Sequence, residues 1–142
     1  MTVFSKSPLL KIIRVIILAG IAVLGVTSTI QAATPAIYVL TVKGTVNPVL
    51  ADYVSRGISL AEENKAPACI IRLDTPGGLD TSMRDIIQEM TASTIPVIVY
   101  VSPSGARAAS AGVFITLAAH VAVMSPNTNI GAAHPVSLGS SG

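Results

Sequence analysis

Four short apolar runs constrain what this chain can fold into: Ala36–Val42, Ala68–Leu73, Val97–Val101 and Val121–Met124. Rich in β-branched residues and bounded by turn signals, they read as buried strands. The stretches between them have a different period. Pro48 fits the start of a helix, and Leu50, Val54, Ile58 and Leu60 recur at helical intervals through Val49–Asn64. Met83, Ile86, Ile87 and Met90 do the same through Thr81–Met90, and Ala111–Ala119 is a third helical run. The alternation of strand and helix predicts an α/β fold with a mostly parallel sheet. Arg72 interrupts the second strand; a strand-end position or an ion pair is expected to accommodate it. Ser125–Gly142, rich in small residues and Asn, reads as loop. Gly139-Ser140-Ser141-Gly142 does not resemble a domain end, so the chain is expected to be truncated at its C-terminus.

The amino terminus is a separate matter. Lys6, Lys11 and Arg14 precede the apolar run Val15–Val26, and small and polar residues follow as far as Ala32-Ala33. That is the layout of a secretory signal peptide over residues 1–33, cleaved after Ala32 or Ala33, or else retained as an anchor. The run is shorter than the roughly 20 residues of a spanning helix. Either outcome places residues 34–142 outside the cytoplasm.

Composition narrows the function classes. Of the nine Lys and Arg, three lie in that leader, leaving six against seven Asp and Glu. The basic balance is therefore local, and with aromatics at 4% no nucleic-acid surface is indicated. Cys69, alone and within an apolar run, is expected to be a buried structural thiol. No Cys/His spacing suggests a metal, and nothing calls for a cofactor.

Two turns carry the chemistry. Asp74-Thr75-Pro76-Gly77-Gly78 follows the second strand, and Ser110 sits among Ala108, Ala109, Ala111 and Gly112 after the third. In a parallel sheet both fall at the carboxyl ends of the strands. A serine at a helix start and a glycine turn with exposed N–H groups together suit acyl transfer. Ser110 would attack a carbonyl, and the N–H groups of Gly78 and Ala111 would hold the oxyanion. Blander readings stay open: Ser110 as an ordinary N-cap, and Pro-Gly-Gly as a tight turn or, without further motif support, a phosphate cradle.

Leu73-Asp74-Thr75-Pro76-Gly77-Gly78, Ala108-Ala109-Ser110-Ala111-Gly112 and Ser125-Pro126-Asn127-Thr128-Asn129-Ile130-Gly131-Ala132-Ala133-His134-Pro135 occur in that order. Together they resemble the NfeD-type membrane-bound serine proteases. These stomatin-operon partner proteins are similar to Clp-protease and signal-peptide-peptidase A domains. The resemblance covers nearly everything after residue 33. It implies the N-terminal portion of a Clp/crotonase-like fold of stacked strand–helix units, with Ser110 as nucleophile and Gly77, Gly78 and Ala111 at the oxyanion hole. It also implies a peptide substrate, apolar segments of membrane-associated proteins as targets, a stomatin-like membrane partner, a homo-oligomer, and a place on the periplasmic side of a membrane.

A serine nucleophile needs a base. No Lys, Arg, Asp or Glu follows Arg107. In the resembling family a lysine serves, and it would lie beyond Gly142. His134 is the base available within the chain, with Asp74 or Asp80 to orient it; His120 reads as structural and Lys43 as a solvated strand end. Arg107 reads as a solvent-facing loop residue, with contact to a substrate carboxylate as the alternative. The competing class is a non-catalytic binding or scaffold module on the same fold, and acyl-CoA chemistry is a third on fold analogy alone.

Overall fold

The computed structural model describes residues 8, 9, 12–17 and 36–133. The expected signal cleavage site and His134 lie outside the described residues. The chain divides into two compact units, Met1–Thr34 and Pro35–Gly142. In the first, residues 8, 9 and 12–17 are helical. None of the described helices is long and apolar enough to cross a membrane.

The second unit runs β1 (Tyr38–Lys43), α1 (Pro48–Glu63), β2 (Cys69–Asp74), α2 (Asp80–Ala92), β3 (Val97–Val101), β4 (Arg107–Ala109), α3 (Ala111–Leu117), β5 (Val121–Met124) and β6 (Asn129–Gly131). The helices begin where local chemistry favours it. The Asn47 side chain accepts from the Leu50 N–H at 2.9 Å, and Pro48 fills the first turn, where its missing N–H costs nothing. Asp80 opens α2 and pairs with Arg84 one turn on, at 2.8 Å.

β1, β2, β3 and β5 form one parallel sheet in that order. The order never reverses. Crossovers between parallel strands are right-handed, so strands added always in one direction carry every helix to the same face. The side chains record this. Leu40, Ile71 and Val99 stand in register, as do Val42, Leu73 and Val101, and all are buried against Val54, Ile58, Ile86 and Met90 of the helices. Each such side chain contributes roughly 1.5–3 kcal/mol by leaving water. On the opposite face Val39, Thr41 and Arg72 are exposed and Ile70, Ile98 and Tyr100 only partly covered.

That open face corrects the expectation for Arg72. It lies within β2, not at its end, and forms no ion pair among the described residues. Its Nε donates to Ser102 Oγ at 3.4 Å. The face is tolerable for a charge because Arg72 is exposed and α1, α2 and α3 pack on the other side of the sheet.

A second correction concerns β4 and β6, both expected to be loop. They pair parallel as a small separate sheet, Arg107 with Asn129, Ala108 with Ile130 and Ala109 with Gly131. Three residues are too few to give a readable period; the ladder exists because the two segments meet in space. β5, at the sheet edge, is exposed at all four residues.

Candidate active site

The site is assembled from three loops that backbone hydrogen bonds tie together. Beyond β2, Thr75 is fully buried and bridges to Ala108. Its N–H donates to the Arg107 carbonyl at 2.7 Å, and its carbonyl accepts from the Ala109 N–H at 3.0 Å. The glycine turn and the serine segment are thus stitched to each other as adjacent strands would be. On the turn's far side, Val46 bridges to Gly78: the Val46 N–H donates to the Gly77 carbonyl at 2.8 Å, and the Leu79 N–H to the Val46 carbonyl at 2.9 Å.

Both glycines are required by close approach. A Cβ on Gly77, whose φ is +109°, would stand 2.6 Å from Ser110 Cβ and 3.1 Å from Ser110 Oγ. A Cβ on Gly78 would collide with the Val46 backbone. The turn is therefore pressed between Val46 and Ser110.

Ser110 has φ +52° and ψ −116°. Few L residues occupy this region, and holding one there costs on the order of 1–3 kcal/mol. Ser110 stands at the N-cap of α3, yet its side chain makes no cap hydrogen bond. Capping does not account for the serine. Its own N–H donates to the Gly131 carbonyl at 3.0 Å, so β6 helps to hold the strained residue in place.

The proposed oxyanion donors differ among themselves. The Gly77 N–H is already engaged, donating to Thr75 Oγ1 at 3.1 Å. Gly78 and Ala111 have N–H groups with no acceptor among the described residues. Gly78 is exposed and Ser110 half-buried, so the site opens to solvent. Asp74 and Asp80 have other partners among the described residues. Asp74 Oδ1 accepts the Arg107 N–H at 3.2 Å, and Asp80 is held by Arg84 on the surface. His120 Nδ1 accepts the Val97 N–H at 3.2 Å, a structural contact at the start of β3, whereas the serine segment follows that strand's other end. Lys43 and Arg107 are exposed.

Sequence reasoning missed Thr75 and Val46. The first left a trace: a threonine two residues before a glycine is the pattern of a hydroxyl-closed turn. Val46 left none, because its part is played by backbone atoms.

A one-sided parallel layer, a small second sheet, and a strained serine beside a glycine turn define a Clp-like α/β domain. The ClpP1 structure from Listeria monocytogenes superposes with a TM-score of 0.57 at 27% identity, covering 63% of this chain and 52% of that one. More narrowly, the chain belongs to the NfeD1b N-terminal domain family, whose profile matches residues 36–141. The membrane-bound protease PH1510 of Pyrococcus horikoshii is 44% identical over 123 residues, 87% of this chain and 28% of that protein. A solved structure of the 1510-N membrane-bound stomatin-specific protease, with a lysine exchanged for alanine and a substrate peptide bound, matches with a TM-score of 0.73 at 45% identity. It covers 77% of this chain and 50% of that one. The same protease has also been solved with a serine exchanged for alanine. The present chain spans under a third of that curated relative and about half of the solved chain.

Proposed function

We propose that this chain is the serine-bearing portion of an endopeptidase of the Ser-Lys type. The observation that carries the reading is Ser110: strained, half-buried, capping nothing, with its Oγ against the glycine turn. Ser110 Oγ attacks the substrate carbonyl carbon and passes its proton to a neutral lysine amine. The carbonyl oxygen becomes an oxyanion held by the N–H groups of Gly78 and Ala111. Collapse breaks the C–N bond, and the departing amine takes the proton back from the lysine. Water then releases the acyl group from Ser110 by the same route.

The lysine belongs to sequence following Gly142. The lysine-exchanged, peptide-bound relative supports that assignment. A lysine serves as a base at neutral pH only when burial or a neighbouring cation lowers its pKa. The substrate class is an apolar segment of a membrane-associated protein. The name of the stomatin-specific relative supports a stomatin-like partner, and the basic, apolar leader supports export to the periplasmic face of a membrane. A homo-oligomer, dimer or larger, is the assembly expected of this class.

Reaction with a fluorophosphonate tests the nucleophile. Ser110 Oγ bonds to phosphorus as fluoride leaves, and intact mass reports the adduct. The complete gene product is expected to label, and its Ser110→Ala variant not to. Equal labelling of both removes Ser110 from the mechanism. The 142-residue chain alone is expected not to cleave peptides; Ser110-dependent cleavage by it would instead promote His134 as base.

A further inference from the structure

We propose that Thr75 is a positioning residue whose hydroxyl holds the Gly77–Gly78 peptide in the orientation that presents the Gly78 N–H to the oxyanion. The inference rests on the serine-peptidase reading for its catalytic consequence, though not for its structural content. Thr75 is fully buried, and neither the fold nor the proposed chemistry otherwise uses its hydroxyl. Oγ1 accepts the Gly77 N–H at 3.1 Å and donates to the Gly77 carbonyl at 3.3 Å. That carbonyl also accepts from the Val46 N–H at 2.8 Å.

A trans peptide is planar, with its C=O and N–H pointing in opposite directions. Fixing the Gly77 carbonyl on two donors therefore fixes the Gly78 N–H, aimed away from Val46. Without such anchors the peptide is free to turn, because Gly77 has φ +109° and no side chain to resist rotation. Val46 supplies one anchor from outside the turn. Thr75 supplies the other from within it, while its own backbone is bonded to β4 and its methyl carbon packs where Gly112 leaves room at the start of α3. One residue thus registers the oxyanion donor against the segment that carries Ser110.

The test uses Thr75→Val, which keeps the shape and removes the hydroxyl, and Thr75→Ser, which keeps the hydroxyl and removes the methyl. Both are made in the complete gene product. Turnover of an apolar peptide by Thr75→Val is expected to fall by about 10–100-fold in kcat, short of the loss of a whole donor, with KM within about two-fold. Thr75→Ser should restore kcat to within about three-fold of the parent. The Gly77 amide should be protected from hydrogen exchange in the parent and in Thr75→Ser, and exposed in Thr75→Val. Unchanged kcat in Thr75→Val, or an equal loss in Thr75→Ser, overturns the proposal. If Thr75→Val does not fold, rapid exchange of Gly77 in the parent still does so. A parent that never labels at Ser110 would sink the peptidase reading alone, since amide exchange still decides what Thr75 holds.

Discussion

Gly77 lies directly against Ser110: the hydrogen on its Cα occupies space where a methyl carbon would sit 2.6 Å from Ser110 Cβ. Gly77→Ala is therefore expected to act twice. It places a side chain at φ +109° and drives it into the serine. Stability should fall by roughly 2–4 kcal/mol, read from denaturant midpoints. Fluorophosphonate labelling should be lost even under conditions where the variant is folded by circular dichroism.

Ser110 itself should show opposition between stability and activity. Ser110→Ala keeps the positive φ and its strain, so stability should stay within about 0.5 kcal/mol of the parent while labelling disappears. Ser110→Gly relieves strain of order 1–3 kcal/mol against an entropic cost of roughly 0.5–1 kcal/mol. A small rise in Tm with complete loss of labelling is expected. A fall in Tm for Ser110→Gly would mean the backbone there is not strained.

Cys69 is fully buried at the start of β2, and burial pushes its thiol pKa up to about 11. A thiol reagent at pH 8 should leave the folded protein untouched and react at once in denaturant. A raised acid pKa also means that the thiol favours the folded state below its unfolded pKa, roughly 8.5, and loses that contribution as pH rises through about 11. Cys69→Val should flatten the alkaline limb of the stability profile.

Glu62 fastens the end of α1 to the turn before β3. Its Oε1 accepts from the Thr94 N–H at 2.6 Å and from the hydroxyls of Ser93 and Thr94, each at 3.0 Å. These bonds, the Thr94 N–H foremost, hold its carboxyl below the usual glutamate value. A lowered carboxyl pKa stabilises the fold above the unfolded value of roughly 4.3, and the contribution is lost as pH falls through the folded value. Glu62→Gln should leave stability less sensitive to acid below about pH 4 than the parent, as monitored by circular dichroism.

The frame was legible because it follows from periodicity. Val97–Val101 and Val121–Met124 were bounded to the residue, and Pro48 marked the start of its helix. Gly77, Gly78 and Ser110 were legible as neighbours because both turns follow parallel strands and so fall at the same edge of the sheet. β4 and β6 were not, since Arg107–Ala109 and Asn129–Gly131 pair through backbone atoms over a distance no local pattern encodes. The engagement of the Gly77 N–H by Thr75 was hidden for a related reason. A sequence names which N–H groups exist but not where each of them points.

The bond from the Ser110 N–H to the Gly131 carbonyl sets a schedule for synthesis. The strained serine is made about 20 residues before its restraint, a delay on the order of seconds at ribosomal speeds of roughly 5–20 residues per second. Until Gly131 has left the exit tunnel, position 110 is free to relax. The strained geometry at Ser110 is thus completed only after the segment carrying Gly131 has been made.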